Sequence, residues 1–424
     1  MKVLLISANT ETINMPALPM GLGCVAAALR RRRHDCRFLD LMSEGSDLAA
    51  VEKVLTAFRP KLIGISIRNI DDQVSDGPRF MMGDAQKLVS ACKRISNAPV
   101  VLGGAGYSMF PESALLFLGA DMGIQGEGET AMPLLVERIS SGRDLSPVPG
   151  LYLRGLGRQS QRTYEKYLDR LPLPAPDLFD LSLARKPDSY LPFQTRRGCP
   201  LSCSYCSTPT IEGRLIRKRS GAKVVKELRS WRRAGFSRIF FVDNTFNLPH
   251  SYALDLSRKI AAAGLDLSWR CILYPGQLNE LLVRTMARAG CQEASLGFES
   301  GTQTMLDALR KRFRLEDVQK ASRLLADYGI KRMGFLMLGG PGETPATVAD
   351  SLRFAEGLDL DSGKVTIGIR IYPYTRLART ARAQGMIAPD DDLLTPRFYI
   401  ARGLAKRLRR MVGEWIETRP NWFV

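Results

Sequence analysis

The sequence predicts an α/β protein in two parts: a doubly wound parallel sheet, then a partial barrel of six strand-helix units that ends in a short helical segment. Two observations carry this. Short apolar runs alternate with helical patterns over residues 1–147 and again over residues 190–386, and strands that alternate with helices build parallel sheets covered on both faces. Between the two alternations, residues 148–189 lose their periodicity and gain proline (PVPGLYLRG, LDRLPLPAPDLFDLS), which reads as a linker.

In the first part, KVLLISA reads as a strand, GLGCVAAALRRR as a helix, CRFLDL as a strand, DLAAVEKVLTAF as a helix, KLIGISI as a strand and GDAQKLVSACKRI as a helix. PVVLGGAG, the short helix PESALLFLG and the strand DMGIQG complete it. Open parallel sheets bind ligands at the carboxyl ends of their strands. Those ends are SANT, IRNID, GGAGYS and GEGE, rich in glycine and small polar residues.

The second alternation places strands at LPFQTRRG, RIFFVDN, LSWRCILY, QEASLGFES, KRMGFLMLG and KVTIGIRIY, with amphipathic helical patterns between them. Six units are two short of a closed eight-unit barrel, but an open one still gathers its site at the strand carboxyl ends. The segment 387–424 carries the helix ARGLAKRLRRMVGEWI and ends in PNWFV.

Composition excludes several classes. The 424 residues, 45% hydrophobic and 25% charged, are ordinary for a globular protein. MKVLLISANT lacks the features of a signal peptide and no apolar run approaches a membrane span, so a cytoplasmic location is expected, where clustered thiols bind metal rather than pair. The formal charge of +18 is compatible with solvated helix faces or an anionic partner. No aromatic-rich RNA motif accompanies it, so a nucleic-acid partner is not expected.

RRGCPLSCSYCSTP follows the first barrel strand and spaces Cys199, Cys203 and Cys206 as CxxxCxxC. Structural zinc takes four ligands, and neither histidine, His34 or His250, lies at ligand spacing from the trio. Three thiolates on a four-iron cluster leave one iron open to a chelating ligand. A zinc-binding nucleic-acid protein is the alternative from another class.

The spacing, with Tyr205 before the last cysteine, resembles the radical S-adenosylmethionine (SAM) superfamily. The resemblance implies a [4Fe-4S] cluster on the trio, SAM on the open iron, and cleavage to a 5'-deoxyadenosyl radical by an electron from a donor such as flavodoxin or ferredoxin. It implies SAM contacts at Tyr205, at Asp243 and Asn244 (FFVDNTF), at Glu299 (SLGFES), at Lys311 and Arg312 (ALRKRF), at Gly339, Gly340 and Pro341 (GFLMLGGPGET), and at Tyr372 (IRIYPYT).

A doubly wound (Rossmann-like) domain ahead of such a barrel resembles the cobalamin-binding radical SAM enzymes over nearly the whole chain. The matching stretches are PMGLG with Gly21 and Leu22, GISI with Ser66, LGGAG with Gly103 and Gly104, and GIQGEGET with Gly126, Glu127 and Gly128. Many cobalamin modules place a cobalt-ligating histidine in a DxHxxG loop after the first strand. Here that region is SANTETINMP, without histidine. Arg68, Asn69 and Ile70 are then the candidates to lie beneath the cobalt. A domain binding flavin, or nothing, stands as the competing reading.

The resemblance implies methylation of an unactivated carbon on a small-molecule or lipid-like substrate; relatives that cyclise, contract rings or couple carbons share the same motifs. Methylthiotransferases join similar parts but carry three further cysteines and usually a small RNA-binding barrel. Cys24, Cys36 and Cys92 fall on helices or at a strand start.

Overall fold

The computed structural model describes every residue except 12–16, 46, 183–185, 187 and 188. The chain forms two compact units. The first comprises Met1–Asp72, Pro78–Tyr190 and Thr208–Arg219; the second comprises Gln73–Gly77, Leu191–Ser207 and Ser220–Val424.

The first unit is built on strands β1 (Lys2–Ser7), β2 (Asp35–Asp40), β3 (Leu62–Ser66), β4 (Val100–Gly103), β5 (Met122–Ile124), β6 (Leu151–Leu153) and β7 (Gly157–Arg158). Their order is β2-β1-β3-β4-β5-β6-β7, parallel through β5 and antiparallel beyond it. The order reverses at β1, which places a crevice at the carboxyl ends of β1 and β3. Val3 to Ile6 are at most 1% exposed, because helices cover both faces of the sheet. On one face Leu22, Ala26 and Leu29 of helix Met20–Arg31 pack with Ala131, Met132 and Leu135 of helix Gly128–Ser140.

The expected linker begins inside this sheet. β6 and β7 lie within residues 148–189 and extend the β5 edge. Three- and two-residue strands are too short to display a period of two, so the prolines dominated the reading. The segment SANTETINMP, noted for its lack of histidine, lies in part outside the described residues.

The second unit holds β8 (Leu191–Phe193), β9 (Arg238–Phe241), β10 (Ser268–Leu273), β11 (Cys291–Glu299), β12 (Lys331–Leu338), β13 (Ser362–Ile367) and β14 (Trp422–Phe423). They pair in parallel in the order β14-β13-β12-β11-β10-β9-β8. The six expected strands form the consecutive open barrel sheet, with all carboxyl ends on one edge. The seventh was not expected. Trp422, 4% exposed, lies flat on Gly363, where a Cβ would come within 2.3 Å of its ring. The expected terminal helix spans Ala405–Glu417. Among the described residues no helix is long and apolar enough to cross a membrane.

Candidate active site

The chain leaves β8 into a loop, residues 194–207, that carries the three cysteines. Its root is pinned by Asp243, which follows β9 and is fully buried. Asp243 accepts from Thr195 N (2.7 Å), Thr195 Oγ1 (2.6 Å) and Arg196 N (3.0 Å), and pairs with Arg196 Nε (3.2 Å). Arg196 is in turn locked: Nη1 donates to Phe246 O (2.5 Å) and Leu248 O (2.9 Å), and its guanidinium lies over Tyr252. Asp243 therefore does not meet the SAM expectation. Both its oxygens are taken by the protein, and it positions the cysteine loop. Asn244, beside it, is half-buried.

Farther along the loop, Ser204 N donates to Leu309 O (3.0 Å) and Ser204 O accepts from Leu377 N (2.9 Å). Cys199 is 7% exposed; Cys203 and Cys206 are half-buried, and none of the three forms a disulfide. Among the described residues no three His, Cys, Asp or Glu side chains gather as one metal ion requires. A four-iron cluster makes no such demand, since each thiolate takes its own iron.

β11 delivers Glu299 with φ at 65°, a left-handed conformation that a glutamate seldom adopts. Its side chain folds back over Gly297, where a Cβ would stand 3.0 Å from Oε1. Oε1 accepts from Tyr205 Oη (3.0 Å) and Lys311 Nζ (3.0 Å). Burial opposes the charge on Lys311, but Glu299, Tyr205 and Cys203 outweigh it and hold the ammonium well above its usual range. Burial also raises the Cys203 thiol, and Lys311 works in the opposite sense. The structure thus joins three residues expected to act separately on SAM into one half-buried cluster beside Cys203. Arg312 is exposed instead, donating to Ser202 Oγ (3.3 Å).

After β12, Gly339 (φ 105°) and Gly340 donate their N–H groups to one oxygen of Glu343, a residue the sequence reading passed over. Glu343 is 5% exposed, and its Oε1 is buried without a hydrogen-bond partner. The signal was present: a carboxylate three residues past a paired glycine closes the turn before the next helix, Pro345–Gly357. Asn247 was also missed. It is fully buried and exchanges hydrogen bonds with Tyr274 (2.8 Å each), tying the loop after β9 to the loop after β10. Pro341 and Tyr372 are half-buried, with the Arg370 guanidinium over the Tyr372 ring.

In the first unit, the glycine-rich ends of β3, β4 and β5 are stitched together. Ile67 N donates to Gly103 O (2.8 Å) and Gly106 N to Ile67 O (3.0 Å). Gly104 has φ at 96°, and a Cβ there would stand 2.5 Å from Ile67 O and 2.9 Å from Ser66 Oγ. Ser108, another missed residue, donates to Gly104 O (2.8 Å) and accepts from Gly126 N (3.0 Å). Beside these loops, at the β1/β3 crevice, a cavity of about 70 Å³ is lined by Asn9, Glu11, Ile67, Asn69 and Arg79 among others. Asn69 Nδ2 donates to Asn9 Oδ1 (3.2 Å).

At four further expected positions the protein itself occupies the side chain or its place. Leu22 packs in the core and Ile70 is 3% exposed. Gly128 serves helix packing, since a Cβ would meet Val25 Cγ2 at 2.8 Å. Glu127 is engaged by the protein, pairing with Arg217 Nη1 and accepting from Glu165 N (2.8 Å). Gly21 has open space before it, Gly103 nearly so, and Arg68 is exposed.

Two family models match the two parts in order: the B12 binding domain over residues 6–136 and the radical SAM superfamily over residues 194–355. The chain belongs to the cobalamin-binding radical SAM enzymes. An uncharacterised methyltransferase of Pyrococcus horikoshii is 29% identical, over 97% of this chain and 91% of its own. A tryptophan 2-C-methyltransferase of Streptomyces laurentii is 25% identical, over 89% of this chain and 74% of its own. The structure of the methyltransferase TsrM from Kitasatospora setae, with cobalamin and a [4Fe-4S] cluster bound, superposes with a TM-score of 0.89 at 22% identity, covering 100% of this chain and 92% of that one.

The residues of this cobalamin-binding radical SAM enzyme fit those groups. The cysteine loop offers three soft donors suited to iron. The orphaned Glu343 Oε1 awaits a donor, since a buried carboxylate oxygen is rarely left unpaired. The glycine ends of β3 to β5 leave bare backbone where a flat macrocycle could approach.

Proposed function

We propose that the enzyme methylates an unactivated carbon of a small-molecule or lipid-like substrate. When bound, the cluster and SAM supply a 5'-deoxyadenosyl radical, and cobalamin supplies the methyl group. The observation that carries this reading is that one chain holds both prebuilt frames: the cysteine loop braced by Asp243 and Arg196, and the three glycine ends stitched by Ser108.

Each frame has a defined task. Cys199, Cys203 and Cys206 would hold the cluster. Glu299, fixed by Tyr205 and Lys311, presents a carboxylate for SAM hydroxyls, while the Gly339–Gly340 backbone, set by Glu343, lets adenosine approach closely. In the first unit, Gly103, Gly104 and Gly126 would hold the cobalamin against bare backbone, and Ser66 lies against Gly104. Holding these groups before reaction removes reorganisation from the chemical step. We further propose a cytoplasmic enzyme reduced by flavodoxin or ferredoxin.

Incubating the anaerobically reconstituted enzyme with cobalamin, reductant, candidate substrates and SAM carrying a labelled methyl group tests the reading. A product that gains the label supports it. 5'-Deoxyadenosine with an unlabelled, rearranged product would replace methylation by cyclisation or ring contraction.

A further inference from the structure

The cysteine loop is braced by two elements that also carry exposed cations. Arg312 donates to Ser202 Oγ (3.3 Å) while its own N–H is held by the Tyr274 hydroxyl (3.1 Å), and its side chain is exposed. Leu377, whose N–H meets Ser204 O (2.9 Å), is the second residue of helix Arg376–Ala383. Arg376 and Arg379, in the opening turn of that helix, are both exposed, and no acidic residue accompanies them there. Cations at a helix N-terminus work against the helix dipole, so their placement asks for another reason.

Tyr374 precedes Thr375, the N-cap of this helix, and is 76% exposed with φ at 64°. The turn around it is fixed, since Thr375 Oγ1 donates to Tyr372 O (2.7 Å) and accepts from Ala378 N (3.1 Å). An outward aromatic on a fixed turn, followed by exposed arginines, has the composition of an interface hot spot.

We propose that Tyr374, Arg376, Arg379 and Arg312 form the docking surface for an acidic, low-potential one-electron carrier protein of the flavodoxin or ferredoxin class. The proposal rests on the radical SAM reading, whose chemistry consumes one external electron. In the step this surface would serve, the reduced carrier would give one electron to a cluster held by Cys199, Cys203 and Cys206. The carrier is left one electron more oxidised, no bond forms or breaks, and no proton moves. The formal charge of +18 draws an acidic partner, and the patch directs it to the loop bearing the cysteines.

The test compares two reductants on the full-length, reconstituted enzyme and on its Arg376→Glu and Tyr374→Asn variants. With a recombinant bacterial flavodoxin as probe, the variants should bind about tenfold more weakly by flavin-fluorescence titration, and Arg376→Glu should show a shallower salt dependence. Flavodoxin-driven formation of 5'-deoxyadenosine should show a matching rise in KM, whereas the dithionite-driven rate stays within about twofold of wild type. Equal losses with both reductants, or flavodoxin binding unchanged in both variants, would overturn the proposal. So would RNA binding that Arg376→Glu abolishes while flavodoxin binding stays intact. A wild-type enzyme inactive with dithionite would refute the radical reading instead, and the flavodoxin affinities would still decide the surface.

Discussion

Glu299 and Lys311 form a largely buried ion pair at 3.0 Å, with side chains 13% and 8% exposed, and the Tyr205 hydroxyl shares the same carboxylate oxygen. Removing one partner of such a pair leaves the other charge without compensation, which costs more than the pair contributes. Lys311→Met should therefore destabilise the protein by about 3 kcal/mol in urea denaturation. Tyr205→Phe, which removes one hydrogen bond and no charge, should cost about 1 kcal/mol. Equal costs would mean that the ammonium is not the main partner of Glu299.

Asp243 separates positioning from contact. Its oxygens hold the root of the cysteine loop through Thr195 and Arg196. Asp243→Asn keeps the shape but sets an amide donor against donors. Stability should fall by about 2–4 kcal/mol, and iron content after reconstitution should drop by about half or more before SAM is added. Full iron content with weakened SAM affinity would restore the direct contact that the sequence suggested.

Asp243 also shows where sequence reading reached its limit. The alternation of strands and helices announced both sheets, because a parallel strand buried on two faces must be continuously apolar, as Val3 to Ile6 are. The spacing of Cys199, Cys203 and Cys206 singled out the loop after β8 because ligand spacing is local. What a carboxylate does at a strand end depends on partners far away in sequence, such as Thr195, 48 residues from Asp243. The same holds for Glu127, which looks like a loop residue until Arg217 is found against it. β6, β7 and β14 stayed hidden because two or three residues carry no period, and Ser108 because one hydroxyl in a short helix has no motif.

The stitched glycine ends predict a graded loss of cobalamin. Gly104→Ala forces a side chain into a left-handed conformation and against Ile67 O at 2.5 Å. Ser108→Ala loses only the bonds to Gly104 O and Gly126 N, about 1 kcal/mol each. Absorbance titration should show cobalamin binding weakened roughly tenfold by Ser108→Ala and abolished by Gly104→Ala. Gly83→Ala, on a helix with open space before it, should leave the affinity unchanged. Wild-type affinity in Ser108→Ala would show that the three strand ends hold their places without it.

Glu343 predicts a pH dependence of known sign. Burial raises its carboxyl above the ordinary value, against the two N–H bonds from Gly339 and Gly340 that favour the charged form. Between the unfolded value of about 4.3 and the higher folded one, the native state binds more protons than the unfolded chain, so stability falls as pH rises through that window. Glu343→Gln removes the titration while keeping an oxygen for the two N–H groups. Thermal melts of wild type and variant should therefore diverge from about pH 4 toward pH 7, with wild type losing ground as the carboxylate ionises. Adding SAM near pH 7 should recover part of the wild-type loss if a SAM donor meets Oε1, because binding only to the native state stabilises it. Parallel melting curves across this range would mean that Glu343 ionises in its site as readily as in water.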